Sequence, residues 1–214
     1  MSQSSAQIHG LVCFDLDGTL LRGPTICEHL ATSLGRRREM ELFESYQPTS
    51  EREIAEARAE MARWYEGVPL SDLKRYCEKA TWAPGAIEAV ALLQRQNIHV
   101  AIASLTWKFA VAWFAERLKV TDFLGTDLLP SGAIEHVWVQ TKGTWLLKLA
   151  NDLGVEQRRI AAVGDSSGDI ELLKVSALRF FVGSRQLDSV TDVTYLPVAD
   201  IRVIAERIIR EWQV

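Results

Sequence analysis

An apolar run, Leu11-Val12-Cys13-Phe14, ends in two carboxylates one residue apart, Asp15 and Asp17, and Gly18-Thr19 close the motif. A short apolar run bounded by turn residues reads as a buried strand. Strands buried on both faces belong to parallel sheets covered by helices. Acids at the end of such a strand aim negative charge at the carboxyl edge of the sheet, where open α/β folds hold their ligands. Gly18 lets the chain turn at once, so both acids can converge on one small site. Carboxylates with no basic neighbour repel each other, and a divalent cation is the usual remedy. The plainer alternative is an acidic turn that merely closes a strand, since Asp and Gly are common turn residues.

With 214 residues the chain suits one large domain, or a core carrying a smaller inserted one. Hydrophobic residues make up 48%, enough for a sizeable core, and a net charge of -4 argues against a dedicated nucleic-acid binder. The basic run Arg36-Arg37-Arg38 is either a solvated face or a phosphate-steering patch. Cys13, Cys27 and Cys77 lack metal or redox spacing, so a reduced, cytoplasmic protein is expected, with Cys13 packing as a small hydrophobe. Met1 to Gln7 carry neither a basic cluster nor an apolar signal core. No segment has the roughly twenty apolar residues that span a bilayer, so no membrane association is expected. Nothing in the pattern fixes an oligomeric state.

From Arg22 to Trp82 there is no convincing strand; the pattern predicts helices over 24–34, 36–45, 50–66 and 69–80. Ser50 and Glu53 have capping-box spacing, and Gly35, Pro48 and Gly67 punctuate the block. Ile54, Ala57, Met61, Trp64 and Tyr65 form an apolar stripe at helical spacing. From Pro84 helices and strands alternate: helix 84–96, strand 98–103, helix 106–118, a hairpin over 123–139 turning at Pro130-Ser131-Gly132, helix 141–153 and strand 160–163. Segments 171–175, 178–182 and 199–212 complete the series. Alternation implies a parallel sheet with helices on both faces. The core is expected over 1–21 and 83–214, with a helical cap over 22–82.

Three further features fall at expected strand or helix ends: Ser104, Lys142, and the loop Gly164-Asp165-Ser166-Ser167-Gly168-Asp169. Each has an ordinary reading, as a helix cap, a solvated lysine and a capping loop respectively. Gathered at one sheet edge they would make a phosphate site around a hard cation, with carboxylates and a backbone carbonyl holding the metal. Lysine and hydroxyl would then take the phosphoryl oxygens.

In their order along the chain these motifs resemble the haloacid dehalogenase superfamily, and within it the phosphoserine-phosphatase-like branch. The resemblance spans nearly the whole chain and implies a Rossmann-like core with a cap inserted after the first strand. It implies that Asp15 is the nucleophile and Asp17 the acid and base. Ser104, the Leu105 N–H and Lys142 would hold the phosphoryl group. Mg²⁺ would bind Asp15, the Asp17 carbonyl and Asp165, while Asp169 would orient the metal's water shell. The expected activity is Mg²⁺-dependent hydrolysis of a small phosphorylated metabolite, phosphoserine being one candidate, through an aspartyl-phosphate. Phosphotransfer by the same chemistry, and a non-catalytic phosphate sensor on the same fold, are the alternatives.

The chain departs from that branch in places. Leu105 and Thr106 follow Ser104 where glycines are usual, and Gly168 stands where Asn is usual. The branch's cap grips the amino-acid end of its substrate with an arginine and a glutamate. Arg58 or Arg63, and Glu28, are the candidates here, with His29, Trp64 and Tyr65 as possible pocket lining.

Overall fold

The structure, a computed structural model, describes residues 8–46, 50–197 and 200–214. The polar start Met1 to Gln7, Pro48 and the expected helix start at Ala199 lie outside them. In chain order the strands are β1 (Gly10–Phe14), β2 (Leu21–Arg22), β3 (Thr81–Trp82), β4 (Ile98–Trp107) and β5 (Asp122–Leu128). They continue as β6 (Ile134–Glu135), β7 (Ile160–Gly164), β8 (Leu178–Phe181) and β9 (Thr194–Tyr195). The helices are α1 (Ile26–Ser33), α2 (Arg37–Tyr46), α3 (Glu51–Trp64), α4 (Leu70–Cys77) and α5 (Ala86–Arg95). After these come α6 (Lys108–Leu118), α7 (Val139–Asp152), α8 (Ile170–Val175) and α9 (Ile201–Trp212).

Seven strands form one sheet in the order β6-β5-β4-β1-β7-β8-β9, parallel throughout except for the β5–β6 pair at its edge. The period-2 alternation of β1 explains its central place. Val12 and Phe14 pack into the larger core with α5, α6 and α9, whereas Leu11 and Cys13 enter the smaller one beneath α7 and α8. All four are fully buried. Cys13 does pack as a small hydrophobe, its thiol pushed above the ordinary range by burial.

The helical block agrees with the sequence reading, and the Ser50–Glu53 capping box forms at the start of α3. The expectation of no strand there needs one correction. Leu21↔Trp82 and Arg22↔Thr81 pair as a two-residue antiparallel ribbon, too short to leave a period in the sequence. The chain therefore enters and leaves the helical block side by side.

Three boundaries move. β4 runs on to Trp107, so Thr106 closes a strand rather than opening α6. The hairpin's second arm is only Ile134–Glu135. Helix α7 starts at Val139, where the Trp138 N–H donates to the Thr141 hydroxyl at 3.2 Å, so Lys142 sits a turn inside the helix instead of opening it. Among the described residues no helix is long and apolar enough to cross a membrane.

Candidate active site

β1 carries Asp15 to the carboxyl edge, where its N–H donates to Val163 O at 2.9 Å and its side chain is buried. Leu16–Leu20 then make one wide turn whose Asp17 (ψ 125°) and Gly18 (φ 82°) lie outside helical geometry. Gly18 is required twice over. Its φ is left-handed, and a Cβ there would fall 2.1 Å from Asp165 Oδ2. Thr19, fully buried, donates its hydroxyl to Asp165 Oδ1 at 3.3 Å. Asp17 Oδ1 accepts from the Ile26 N–H at 2.9 Å, which ties the turn after β1 to the first turn of α1.

Lys142 is the hub. Its Nζ donates to Asp15 Oδ1 at 2.9 Å and to Asp169 Oδ1 at 2.5 Å, with only 1% of the side chain exposed. Burial alone would lower this ammonium's pKa, but the charges of Asp15 and Asp169 outweigh it and hold the pKa above the ordinary lysine range. The other Asp169 oxygen accepts from the Asp165 and Ser166 N–H groups at 3.0 and 3.2 Å. Both Asp169 oxygens are thus engaged. Gly164 makes room for this carboxylate: a Cβ there would lie 2.4 Å from Asp169 Cβ.

One ammonium does not neutralise three carboxylates. Asp15, Asp165 and Asp169 bring oxygens within 4.8 Å of one another. Burial and the Asp169 charge push Asp15 well above the usual carboxylate range despite Lys142. The same two causes raise Asp165 to about 6. Burial raises Asp17 to about 7, although the Ile26 N–H pulls it down. Asp15 and Asp165, held toward protonation by burial and by the Asp169 charge, fit a hard divalent cation, which would replace those protons.

The register of β4 explains Ser104. Ala103↔Leu124 and Trp107↔Thr126 leave four steps on β4 against two on β5, so the chain between them bulges at the sheet edge. Ser104 lies in that bulge, buried, and its Oγ accepts from the Thr106 N–H at 3.3 Å. The Leu105 carbonyl turns toward Thr126 Oγ1, which donates to it at 3.0 Å.

The expected substrate contacts of the helical block fare differently. Arg58 is buried and donates to Leu105 O at 2.8 Å and twice to Val137 O at 3.1 Å. It also meets His136 Nδ1 at 3.2 Å and lies over the Trp138 ring. This arginine clasps the core. Arg63 is exposed and pairs with Glu60 on its own helix. Glu28 caps α1 through the Thr25 N–H. Trp64 stacks on Phe43, and Tyr65 packs edge-on to Trp107. His29 keeps a buried Nε2 without a hydrogen-bond partner among the described residues. Arg36 and Arg37 pair with Glu39 and Glu41 on the surface, as a solvated face does.

Replacing Arg58 by Ala strips the buried Val137 O of both donations from Arg58 and leaves Leu105 O with Thr126 Oγ1 alone. Arg58→Ala should lower the thermal midpoint by about 4–12 °C, from roughly 2–3 kcal/mol at 2–4 °C per kcal/mol. An unshifted melting curve would show that the clasp contributes nothing.

Sequence reasoning missed Arg22 and Thr126. Arg22 follows the turn after β1, its Nε and Nη2 are buried without partners among the described residues, and its charge pulls Asp165 down. A lone arginine after Leu20-Leu21 and a lone threonine in a strand give no periodic signal.

A mostly parallel sheet whose central strand ends in a buried acid, clasped by a lysine from a neighbouring helix, defines a haloacid-dehalogenase-like α/β protein. A sequence profile described as haloacid dehalogenase-like hydrolase matches residues 12–174, and the chain belongs to that family. Phosphoserine phosphatase of Idiomarina loihiensis is 27% identical over 182 residues, covering 79% of this chain and 80% of its own. That of Campylobacter jejuni subsp. doylei is 25% identical over 203 residues, covering 91% and 97%. A substrate-bound phosphoserine phosphatase complex matches the fold with TM-score 0.78 at 21% identity, over 92% of this chain and 97% of that one. A phospho-aspartyl intermediate analogue of phosphoserine phosphatase matches with TM-score 0.76 at 22% identity, over 92% and 98%.

Proposed function

We propose that this protein is a Mg²⁺-dependent phosphatase of small phosphomonoesters. The observation that carries this reading is Lys142 Nζ held between Asp15 and Asp169 at the end of the central strand, with Asp17, Ser104 and Asp165 at the same edge. Asp15 forms a bond to phosphorus as the ester P–O bond breaks, and Asp17 gives its proton to the departing alkoxide. Asp17 then takes a proton from water, whose oxygen attacks the aspartyl-phosphate and releases inorganic phosphate. A carboxyl raised to about 7 suits both tasks near neutral pH. Splitting one hydrolysis into two displacements lowers each barrier.

In this reading Ser104, the Leu105 N–H and Lys142 hold the phosphoryl oxygens. Asp15, the Asp17 carbonyl and Asp165 hold the cation, and Asp169 positions Lys142 and the Asp165 loop. Mg²⁺, when bound, supplies positive charge that offsets repulsion between carboxylate and phosphate. The helical block over 22–82 acts as a cap over this edge.

The test is phosphate release from a panel of phosphomonoesters, which should stop with EDTA and return with Mg²⁺; release indifferent to chelator would remove the metal. A binding readout is independent of turnover. Asp165 and Asp17 have raised folded pKa values, so the stability they lend the metal-free protein is full at low pH and is lost as pH rises through about 6 and 7. Mg²⁺ takes the place of the Asp165 proton, whereas Asp17 meets the ion through its carbonyl and keeps its carboxyl free for acid–base work. Mg²⁺ at about 100 times its Kd should therefore raise the thermal midpoint by about 5–10 °C at pH 8 and by much less at pH 5. Equal shifts at both pH values would contradict the assigned ligands.

A further inference from the structure

A cavity of about 190 Å³ opens where the helical block meets the end of β4. Its walls are Cys27 from α1, Met40 and Phe43 from α2, Ile54, Ala57 and Met61 from α3, and Leu105 to Trp107 from the core. A larger cleft of about 340 Å³ on the other side of α2, between α1 and α2, includes no residue of the core loops. The smaller one adjoins the chemistry. Asp17 Oδ1 is held by the Ile26 N–H, the next residue Cys27 lines the cavity, and Cys27 Sγ lies 3.6 Å from Thr106 Oγ1, two residues beyond Ser104. The cavity wall thus includes Cys27, which follows the residue whose N–H holds Asp17, and Leu105 and Thr106, which follow Ser104 in the β4 bulge.

Its chemistry is apolar. The Cys27 thiol is pushed up to about 12 by burial and stays protonated. Among the described residues two charged ones border the space. Arg58 has its guanidinium committed to Leu105 O and Val137 O. Glu44, exposed at the rim, would repel a carboxylate. Leu105 adds apolar surface, and it depends on Gly168: a Cβ there would come 3.1 Å from Leu105 Cδ1. The two departures noted in the sequence therefore touch, and together they set one wall.

We propose that this cavity receives the leaving group, and that the substrate is the phosphomonoester of an apolar, uncharged alcohol rather than of an amino acid. An apolar cavity of about 150 Å³ accommodates a benzene ring, so an aromatic ring or a chain of about six carbons fits. The inference rests on the phosphatase reading above. A buried carboxylate with no free cation is strongly disfavoured, which places phosphoserine among the poor substrates. Each methylene moved from water into the cavity should raise kcat/KM about fourfold, equivalent to about 0.8 kcal/mol.

The experiment measures kcat/KM with Mg²⁺ for methyl, propyl and hexyl phosphate and for phosphoserine. The expected result is a steady rise with chain length, hexyl phosphate exceeding phosphoserine by at least about 100-fold. Ala57→Trp, which fills the cavity, should cut the hexyl-to-methyl ratio by at least tenfold. A flat series with phosphoserine preferred overturns the apolar assignment while leaving the phosphatase reading standing. If no ester turns over, that reading fails instead, and the cavity is judged by calorimetry of propyl and hexyl phosphonate. Affinity rising with chain length would then uphold the cavity assignment, and equal affinities would overturn it.

Discussion

Asp15→Asn should reduce Mg²⁺-dependent turnover of any phosphate ester by at least about 10⁴-fold, the scale of losing a covalent nucleophile, while the fold survives. The substitution keeps shape and an oxygen acceptor for Lys142 Nζ, which lies 2.9 Å from Asp15 Oδ1. What disappears is a negative charge that the site holds at a cost. Burial and Asp169 raise the Asp15 pKa well above the usual carboxylate range, so at neutral pH its ionised form is destabilising in the metal-free protein. A neutral amide removes that penalty. In EDTA at pH 8 the variant should therefore melt at the parent's temperature or above it. Catalytic loss with undiminished stability separates a nucleophile from a structural acid, whose removal would lower the midpoint. Ordinary turnover in Asp15→Asn would refute the mechanism.

The fold was legible where a local pattern has a single physical outcome. An apolar run ending in Asp15 and Asp17 can only be a buried strand delivering acids to a sheet edge, and β1 is that strand. The bulge after Ala103 was not legible, because Ser104 to Trp107 reads equally well as a capped helix start. Its cause is tertiary: β5 has a neighbour for Trp107 at Thr126 but nothing for the residues between. Among site residues, Lys142 was found only through its place in the order of motifs, since one lysine at a helix start is usually solvated. Its burial between Asp15 and Asp169 is a long-range fact, set by the packing of α7 on α8. Arg58 shows the reverse. An arginine named from the sequence as a candidate substrate contact holds the Leu105 and Val137 carbonyls, because a guanidinium can meet two such groups at once, and no local pattern announced that clasp.

Lys142→Met should destabilise the metal-free protein by about 3–5 kcal/mol, the scale of breaking a buried ion cluster by removing one partner. At 2–4 °C per kcal/mol this lowers the thermal midpoint by about 6–20 °C. Met has the volume of the lysine stem, so the loss is electrostatic: Asp15 and Asp169 would face each other in a buried site with no cation between them. The pH dependence follows from sign. Asp15 already has a raised pKa with Lys142 present, and loss of the ammonium raises it further. Folding of the variant then takes up a proton at Asp15, so the destabilisation is largest at high pH and shrinks as pH falls. Adding Asp169→Asn to the variant should restore most of the lost stability at pH 8, because the repulsion disappears with one of its charges. Turnover should stay low in the double variant, since the phosphoryl charge still lacks its ammonium. A Lys142→Met protein as stable as the parent in EDTA at pH 8 would show that the cluster is not the buried, unbalanced assembly on which the active-site reading depends.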